Sequence, residues 1–383
     1  MIARRWWGVA MAAWLAAIAI VSATQEPAGT PWTWDLPDGF PEPKVPADNP
    51  MTVEKVALGR QLFYDTRLSI NNTTSCGTCH LPQLAFTDAK PQAIGATGAV
   101  HPRSAMSLVN LAYTPVFTWG NPTVRRLEAQ ALLPMFGETP VEMGLAGREA
   151  ILFASLKKVA GYQKLFAAAF PGEPDPVNPH NITAAIASFE RSIISGRAPY
   201  DRFRYSGETN ALSASAKRGE RLFFDEKTEC FHCHGGFNMT ETEDHVGKQF
   251  LEFEFFNTGL YNIDGKGKYP YPNAGVMDVS GDPEDMGKFK APTLRNIAVT
   301  APYMHDGSIP TLEAVLDHYA AGGRTIHSGP NTGVGAANPY KSGFVKGFTL
   351  SRQEKADLIA FLKSLTDDAF LKDPRYRAPA PLK

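Results

Sequence analysis

Apolar side chains recur every three or four residues over much of the chain, and this spacing predicts a mainly helical protein. In the clearest stretch, the predicted buried face consists of Ile182, Ile186, Phe189 and Ile193. Asn181 has the residue type of an N-cap and Gly196 that of a helix end, so we expect one helix between them. An apolar face of this kind packs into the core and does not by itself indicate a function.

Two further stretches carry apolar faces with the same spacing. Over residues 147–170, the predicted face consists of Ile151, Leu152, Leu156, Val159, Leu165 and Phe166. Near the C-terminus, Ser351 and Glu354 have the spacing of a capping box, in which each side chain accepts a hydrogen bond from the other residue's backbone N–H. The apolar face after this box consists of Leu358, Phe361, Leu362 and Leu365. We predict helices in both stretches, with these faces in the core.

The helical pattern is absent from two regions. Residues 26–50 are rich in proline, and we expect an extended arm on the surface. Residues 236–292 are rich in Gly, Asp and Pro, which favours loops with short strands at most. The predicted fold is therefore mainly α, with long loops.

A short internal repeat suggests that the chain contains two similar domains. "LGRQLFYD" at 58–65 and "RGERLFFD" at 218–225 each predict a helix that leads into a cysteine-containing loop. We place the boundary within 205–212. The predicted organisation is an arm over 24–50, an N-terminal domain over 51–207 and a C-terminal domain over 208–383.

The N-terminus has the pattern of a secretory signal peptide. Arg4 and Arg5 precede an apolar run over 6–21, and small residues follow at a plausible cleavage site after Ala23. The alternative is an uncleaved anchor, but the run is shorter than the roughly 20 apolar residues that a membrane-spanning helix needs. We predict a signal peptide over 1–23 and a periplasmic mature protein without a membrane span.

Composition excludes some partners without identifying others. The chain has 383 residues, 43% of them hydrophobic and 20% charged, with a net charge of −1. These values are typical of a soluble globular protein. A nucleic-acid-binding protein would usually carry a basic excess, so no nucleic-acid partner is expected.

The four cysteines form two Cys-x-x-Cys-His motifs, the attachment signature of c-type haem. The motif residues are Cys76, Cys79, His80, Cys230, Cys233 and His234. Two thiols three residues apart reach the two vinyl groups of one porphyrin edge, and the next residue presents its imidazole to the iron. A structural zinc ion would need four ligands from pairs that lie 154 residues apart. A redox dithiol would leave the His after each pair unexplained. The motifs therefore predict two covalently bound haem c groups, with His232 a bystander.

Longer segments around these motifs resemble the bacterial di-haem cytochrome c peroxidase and MauG family. The segments are "WGNPTVRRLEAQALLPMFGETPVEMG" at 119–144 and "FKAPTLRNIAVTAPYMHDGSIPTLEAVLDHYAAGG" at 289–323. The resemblance runs from about Leu58 to the C-terminal helix. "GFPEPKVPADNPMT", "LVNLAYTPVFTWGNP" and "SFERSIISGRAPYDRF" are most similar to the MbnH-type branch of that family.

The resemblance implies a periplasmic enzyme that uses hydrogen peroxide to form a high-valent di-haem state. In the MbnH-type branch, this state oxidises a tryptophan on a partner protein, MbnP, to kynurenine. The first alternative is a cytochrome c peroxidase that reduces peroxide with electrons from a small cytochrome. The second is an electron-transfer cytochrome with no enzymatic activity.

The resemblance also implies the second axial ligand of the C-terminal haem. Conventional peroxidases have a Met at the position of Tyr319, whereas MauG-like members have Tyr there. Met304 and His318 are the nearby competitors. Adjacent helical residues point about 100° apart, so His318 and Tyr319 cannot both face one iron. We expect Tyr319 to be the ligand and to favour a high oxidation state.

The remaining implied roles concern the first haem and the region between the haems. Glu142 matches the acid–base residue that splits peroxide, and Gln130 and Pro134 match other residues of the same pocket. Trp119 matches a tryptophan that carries charge between the haems. We expect His101 to contact a propionate or solvent and not to gate the first haem.

A calcium site between the haems is implied in the same way. Its protein ligands would be one side-chain oxygen, from Asn110, and the backbone carbonyls of Thr300 and Pro302. Calcium accepts oxygen ligands of this kind and completes its shell with water.

Overall fold

The computed structural model describes residues 29–251 and 253–382. The predicted signal peptide and the first residues of the predicted arm lie outside these ranges. In the described part, the α-helices in chain order are α1 (Val53–Phe63), α2 (Cys76–Cys79), α3 (Leu127–Phe136), α4 (Glu149–Lys157), α5 (Ala160–Ala169), α6 (Pro179–Arg191), α7 (Pro199–Arg204), α8 (Ala214–Phe223), α9 (Phe231–His234), α10 (Met277–Ser280), α11 (Leu312–Ala320), α12 (Arg352–Lys363) and α13 (Asp368–Lys372).

The β-structure of the described residues consists of short antiparallel pairs. β1 (Phe255–Phe256) pairs with β2 (Phe289–Lys290), so that Phe255 lies opposite Lys290. β3 (Thr325–Ile326) pairs with β4 (Gly333–Val334). The loop-rich character predicted for 236–292 is confirmed, because the described residues of this region hold only β1, β2, α10 and one 3₁₀ turn over 283–285.

The two halves share one helix crossing, which supports the duplication seen in the repeat. Gly59 on α1 lies against α6, and a Cβ atom there would come within 1.8 Å of the Ala185 carbonyl oxygen. Gly219 on α8 lies against α12, where a Cβ would come within 1.9 Å of the Asp357 carbonyl oxygen. The two glycines hold equivalent places in "LGRQLFYD" and "RGERLFFD". Each motif helix, α2 or α9, follows the first helix of its pair.

The predicted arm and the segment after α12 both make contacts between the two halves. The described part of the predicted arm contains no helix, and its Phe40 packs against Tyr113 and Phe237. Beyond α12 the chain returns to the N-terminal half, where Phe370 and Tyr376 join the same core cluster as α1 and α6. These contacts cross the predicted boundary at 207/208, which stays a prediction.

Three details of the helix predictions are wrong. α6 ends at Arg191, with Ser192 as its C-cap, so the helix stops before Gly196 and Ile193 lies beyond it. The N-cap of α6 is Asn178, whose side chain accepts a hydrogen bond from the backbone N–H of Asn181. Pro179 explains the earlier start, since proline suits the first helical position. Ile151 is 65% exposed because residues 147–170 form two helices, and the buried face of α4 is Leu152 and Leu156.

The C-terminal capping box of Ser351 and Glu354 is confirmed at the start of α12. Among the described residues, no helix is long and apolar enough to cross a bilayer.

Candidate haem centres

Side chains of the first Cys-x-x-Cys-His motif line a cavity in the N-terminal half. This first cavity also receives side chains from several later segments. Its lining includes Cys76, Cys79, His80, His101, Trp119, Gln130, Pro134, Glu142 and Glu190. The structure therefore places the motif beside all the residues predicted for a peroxide pocket.

One ring nitrogen of His80 is already engaged. Its Nδ1 lies 2.7 Å from the carbonyl oxygen of Phe86, and burial lowers the pKa of the ring. A neutral imidazole that donates from Nδ1 to a carbonyl keeps the lone pair of Nε2 for a metal. The arrangement fits a histidine that binds haem iron.

The second motif lines a separate cavity in the C-terminal half. The lining of this second cavity includes Trp119, Cys230, Cys233, His234, Tyr269, Lys290, Met304, His305 and Tyr319. His234 repeats the arrangement of His80, since its Nδ1 lies 3.1 Å from the carbonyl oxygen of Pro292. Burial lowers the pKa of His234 to about 4, which keeps the imidazole neutral and able to ligate.

The arrangement of the four cysteines is compatible with two haem attachments and not with one metal ion bound by all four. None of the four forms a disulfide, and burial raises the pKa of Cys79 and of Cys230 to about 11. Because the motifs line different cavities, they do not combine into one four-ligand zinc site. His232 does not line the second cavity, and its ring stacks on Phe344 with centroids 4.2 Å apart.

Backbone hydrogen bonds position Glu142 beside helix α3. The carbonyl oxygen of Glu142 accepts a hydrogen bond of 2.6 Å from Ala96 N, and Met143 N donates to the Pro134 carbonyl at 2.9 Å. Burial among neighbouring atoms raises the pKa of the Glu142 carboxyl group. A raised pKa brings the group closer to the range in which one side chain can both accept and donate a proton.

His101 faces Glu142 across the first cavity. Its Nε2 lies 3.7 Å from Glu142 Oε1. His101 Nδ1 lies 3.1 Å from both the backbone nitrogen and the carbonyl oxygen of Arg103, so either ring nitrogen can carry the proton. The sequence predicts that His101 contacts a propionate or solvent, and it does not indicate this contact with Glu142.

Tyr319 lies on α11 and its ring lines the second cavity. No hydrogen bond joins its phenol to another residue within 29–251 or 253–382, and burial raises its pKa. A phenol that lines the cavity without a hydrogen-bond partner among the described residues gains a strong interaction if its oxygen binds ferric iron as the phenolate. The residue therefore fits the role of an axial ligand.

Of the two competing ligands, Met304 also lines the second cavity. His305, which the sequence analysis did not single out, lines it too, and its ring stacks on Phe289 with centroids 3.7 Å apart. His318 is buried and does not line this cavity, as expected for the neighbour of Tyr319 on a helix.

Trp119 is the side chain that lines both cavities. Its Nε1 donates a hydrogen bond of 3.0 Å to the carbonyl oxygen of Ser104. An indole in this position is suited to carry charge between two centres.

In the described part of the chain, no hydrogen bond links Asn110, Thr300 and Pro302, the residues predicted to bind calcium. Asn110 is fully buried; its Oδ1 accepts from Ser195 N at 2.8 Å, and its Nδ2 donates to Asn238 Oδ1 at 2.9 Å. Thr300 bonds within its own turn, to Ile297. Protein contacts thus already engage the Asn110 amide, and the calcium site stays a prediction.

Two buried charged residues of the cavities were missed from sequence. Glu190 lines the first cavity, burial raises its pKa to about 8, and its Oε2 has no partner among the described residues. Lys290 lines the second cavity, burial lowers its pKa to about 7, and its Nζ donates to the Val116 carbonyl at 2.9 Å. Each of these charged residues directly follows a buried phenylalanine, Phe189 or Phe289. A charged residue next to a core residue is the sequence pattern that could have indicated them.

Two protein-family models match this chain, the first in the N-terminal half and the second in the C-terminal half. The model of the di-haem cytochrome c peroxidases matches residues 53–210. A model described as RoxA-like, cytochrome c-like matches residues 288–321.

Curated relatives are similar over most of the chain. The methylamine utilization protein MauG of Methylorubrum extorquens is 37% identical over 331 residues, which cover 86% of this chain and 82% of the relative. The cytochrome-c peroxidase IdrP1 of Denitromonas iodatirespirans is 34% identical over 360 residues, which cover 88% of each chain.

Two solved structures share the fold of this chain. A MauG-like protein associated with microbial copper homeostasis is 50% identical, with a TM-score of 0.89, and the match covers 91% of this chain and 99% of that one. The di-haem peroxidase BthA from Burkholderia thailandensis is 20% identical with a TM-score of 0.66, covering 90% and 95% of the two chains, and supports the fold alone.

Proposed function

The chain belongs to the di-haem cytochrome c peroxidase and MauG family, and from this premise we propose that it uses hydrogen peroxide to oxidise a partner protein. As a member of this family it is an oxidoreductase with two cytochrome c-like domains, each with one haem c. Cys76, Cys79 and His80 hold one haem. Cys230, Cys233 and His234 hold the other.

The observation that carries the proposal is the placement of Tyr319 in the second cavity. A phenolate is a hard anionic donor, which favours higher oxidation states of iron, whereas a thioether favours ferrous iron. A centre with Tyr as second axial ligand is suited to hold oxidising power, and one with Met is suited to receive electrons. The Tyr therefore favours oxidation of a demanding substrate over detoxification of peroxide.

The residues that line the first cavity have different roles in peroxide cleavage. A haem held by Cys76, Cys79 and His80 would supply the iron for cleavage of the O–O bond. The Glu142 carboxylate takes the proton from one peroxide oxygen and returns it to the leaving oxygen, which becomes water. His101 Nε2 lies 3.7 Å from the same carboxylate and lines the pocket beside it. Gln130 and Pro134 shape the wall beside it.

Trp119 links this chemistry to the second cavity. Its indole lines both cavities and can pass one electron at a time from the second to the first. Oxidising power made in the N-terminal half is thereby available in the C-terminal half, where a protein substrate can be oxidised at a distance.

The proposed substrate is a tryptophan on an MbnP-like protein, converted to kynurenine in the periplasm. Three features support this choice. The branch-specific segments resemble the MbnH type, a 50% identical protein is associated with microbial copper homeostasis, and residues 1–23 have a signal-peptide pattern.

A second candidate function is that of a cytochrome c peroxidase. It is favoured by the 34% identity to a named cytochrome-c peroxidase and by the presence of Met304 in the second cavity. In that case the second haem would receive electrons from a small cytochrome.

One experiment separates the two. The purified di-haem protein is mixed with peroxide and, in parallel, with a purified MbnP-like protein or with reduced small cytochrome c. We expect a peroxide-dependent mass change that maps to a tryptophan of the MbnP-like protein and slow oxidation of the cytochrome. Fast peroxide turnover with the cytochrome and an unmodified MbnP-like protein would contradict the proposal.

A further inference from the structure

A pair of tyrosines leads away from the second cavity. Tyr269 lines the cavity, and its ring centroid lies 5.4 Å from that of Tyr261 in an edge-to-face arrangement. Both side chains are buried, with exposures of 3% and 5%. Tyr261 does not line the cavity and so forms a second layer behind Tyr269.

The two phenols differ in the group that accepts their hydrogen bond, and therefore in whether a base is available to take the proton. Tyr269 donates to the side-chain oxygen of Asn257 at 2.8 Å, and an amide oxygen is not a useful base. Tyr261 donates to Asp306 Oδ2 at 2.6 Å, a short bond to a carboxylate. A phenol that loses an electron becomes a strong acid, so a tyrosine is oxidised readily only where a base can take the proton.

The surroundings hold Asp306 in place as that base. Its other oxygen, Oδ1, accepts a hydrogen bond of 3.1 Å from Ser308 N. The guanidinium of Arg324 lies 5.9 Å from the Tyr261 ring centroid and donates to Ser308 Oγ. Its positive charge disfavours a cationic ring, so loss of an electron from Tyr261 is coupled to loss of its proton. Asp306 is half-buried, which gives the proton contact with solvent.

We propose that Tyr261 and Asp306 form a proton-coupled electron relay between the second haem centre and the protein substrate. Tyr261 gives one electron, by way of Tyr269, to the centre at Tyr319, and its phenolic proton moves to Asp306 Oδ2. The substrate then returns one electron to Tyr261, and Asp306 returns the proton. Hydrogen peroxide is the oxidant; it becomes two waters by taking two electrons through the relay and two protons, which the substrate releases to solvent as it is oxidised. Two passages through Tyr261 therefore balance one peroxide. The relay rests on the proposed function, because peroxide must first oxidise the haem centres.

The chain offers a matched control for this pair. Tyr162 donates to Asp65 Oδ2 at 2.6 Å, the same chemical pairing at the same distance. Tyr162 is fully buried but lines neither cavity. If a phenol–carboxylate contact alone caused tyrosine oxidation, both pairs would respond to peroxide. If position beside the second cavity is required, only Tyr261 will.

The test uses the di-haem protein, with ring-deuterated tyrosine incorporated, frozen at intervals after peroxide is added without a protein substrate. Optical spectra report haem oxidation, and electron paramagnetic resonance reports tyrosyl radical. We expect a tyrosyl signal in the wild type and in Tyr162→Phe. We expect a loss of about tenfold or more in Tyr261→Phe and in Asp306→Asn, the tenfold being equivalent to about 1.4 kcal/mol. In the two relay variants, the oxidised haem spectrum should persist longer.

The possible failures are distinguishable. A tyrosyl signal of unchanged intensity in Tyr261→Phe, or none in a wild type whose haems are oxidised, overturns the relay and leaves the proposed function standing. A wild type whose haem spectrum does not change with peroxide overturns the proposed function and the relay with it. Asp306→Asn keeps the buried tyrosine and so tests the relay even if Tyr261→Phe does not fold.

Discussion

The backbone N–H of Lys290 donates a hydrogen bond of 2.8 Å to the carbonyl oxygen of Trp119. This bond joins a loop of the N-terminal half to strand β2 beside the second motif. The bond from Trp119 Nε1 to the Ser104 carbonyl holds the other side of the residue. The indole is therefore fixed where it lines both cavities, which is the geometry that a charge carrier between two centres requires.

Replacement of Trp119 by Leu should uncouple the two centres. The reaction of peroxide at the first centre should keep its rate, while oxidation of the partner protein slows by about tenfold or more, equivalent to a barrier rise of about 1.4 kcal/mol or more. Rapid-mixing spectra and mass analysis of the partner measure the two steps separately. Trp34→Leu, in the arm and outside both cavities, is the control. Partner oxidation at the wild-type rate in Trp119→Leu would remove the indole from the path.

Replacement of Glu142 by Gln should slow peroxide cleavage by roughly 10²- to 10⁴-fold, the usual contribution of a general acid–base group. Both haems should remain bound, as shown by their absorption. Glu149→Gln, at the start of α4 and outside the first cavity, is the matched control. A variant that reacts with peroxide as fast as the wild type would exclude Glu142 from the mechanism.

The pKa of Glu142 also predicts the pH profile of that step. Burial raises this pKa, and only the carboxylate form can take the first proton from peroxide. The rate should therefore increase as pH rises through a value above that of an ordinary Glu and then level off. In Glu142→Gln this rise should disappear. A wild-type rate that falls over the same pH range has the wrong sign for a carboxylate base.

Replacement of Tyr319 by Met should raise the potential of the second haem, because the ligand changes from an anionic oxygen to a neutral thioether. The shift should be a substantial part of the about 0.8 V range over which axial ligands act. Spectroelectrochemical titration measures it, with His318→Met as the control on the adjacent helix position. An unchanged potential in Tyr319→Met would count against ligation by this residue.

The duplicated helix crossing predicts a stability effect. Gly59→Ala places a methyl group against the Ala185 carbonyl of α6, where no flexible side chain can move aside. We expect the free energy of unfolding to fall by about 1–3 kcal/mol, the usual cost of overpacking. Chemical denaturation of the di-haem protein measures it. Gly343→Ala, which has no neighbour within 4 Å, should change little; equal effects of both substitutions would show that the close crossing is unimportant.

The local patterns were strong enough to predict the helical class, both haem motifs and the repeat. Each depends on residues close together in the chain, such as Cys76 and His80, or on a periodicity such as that of α12. The N-cap of α6 was misplaced by three residues because Asn178 and Asn181 are both good caps, and Pro179 decides between them.

Contacts between distant segments could not be predicted in this way. Nothing in the sequence near His101 indicates that its ring faces Glu142, 41 positions later. The return of Tyr376 to the N-terminal core and the burial of Lys290 beside Trp119 likewise depend on how the two halves pack. Asn110 was assigned to calcium from family resemblance, and its bonds to Ser195 and Asn238 became apparent only in three dimensions.

The most direct test of the account is electron paramagnetic resonance of the ferric di-haem protein, with and without the Tyr319→Phe substitution. A phenolate ligand at one iron and an open site at the other predict one low-spin and one high-spin signal in the wild type. In Tyr319→Phe the low-spin signal should be lost or shifted, while the high-spin signal stays. Two low-spin signals in the wild type, or a low-spin signal that is identical in Tyr319→Phe, would contradict the account.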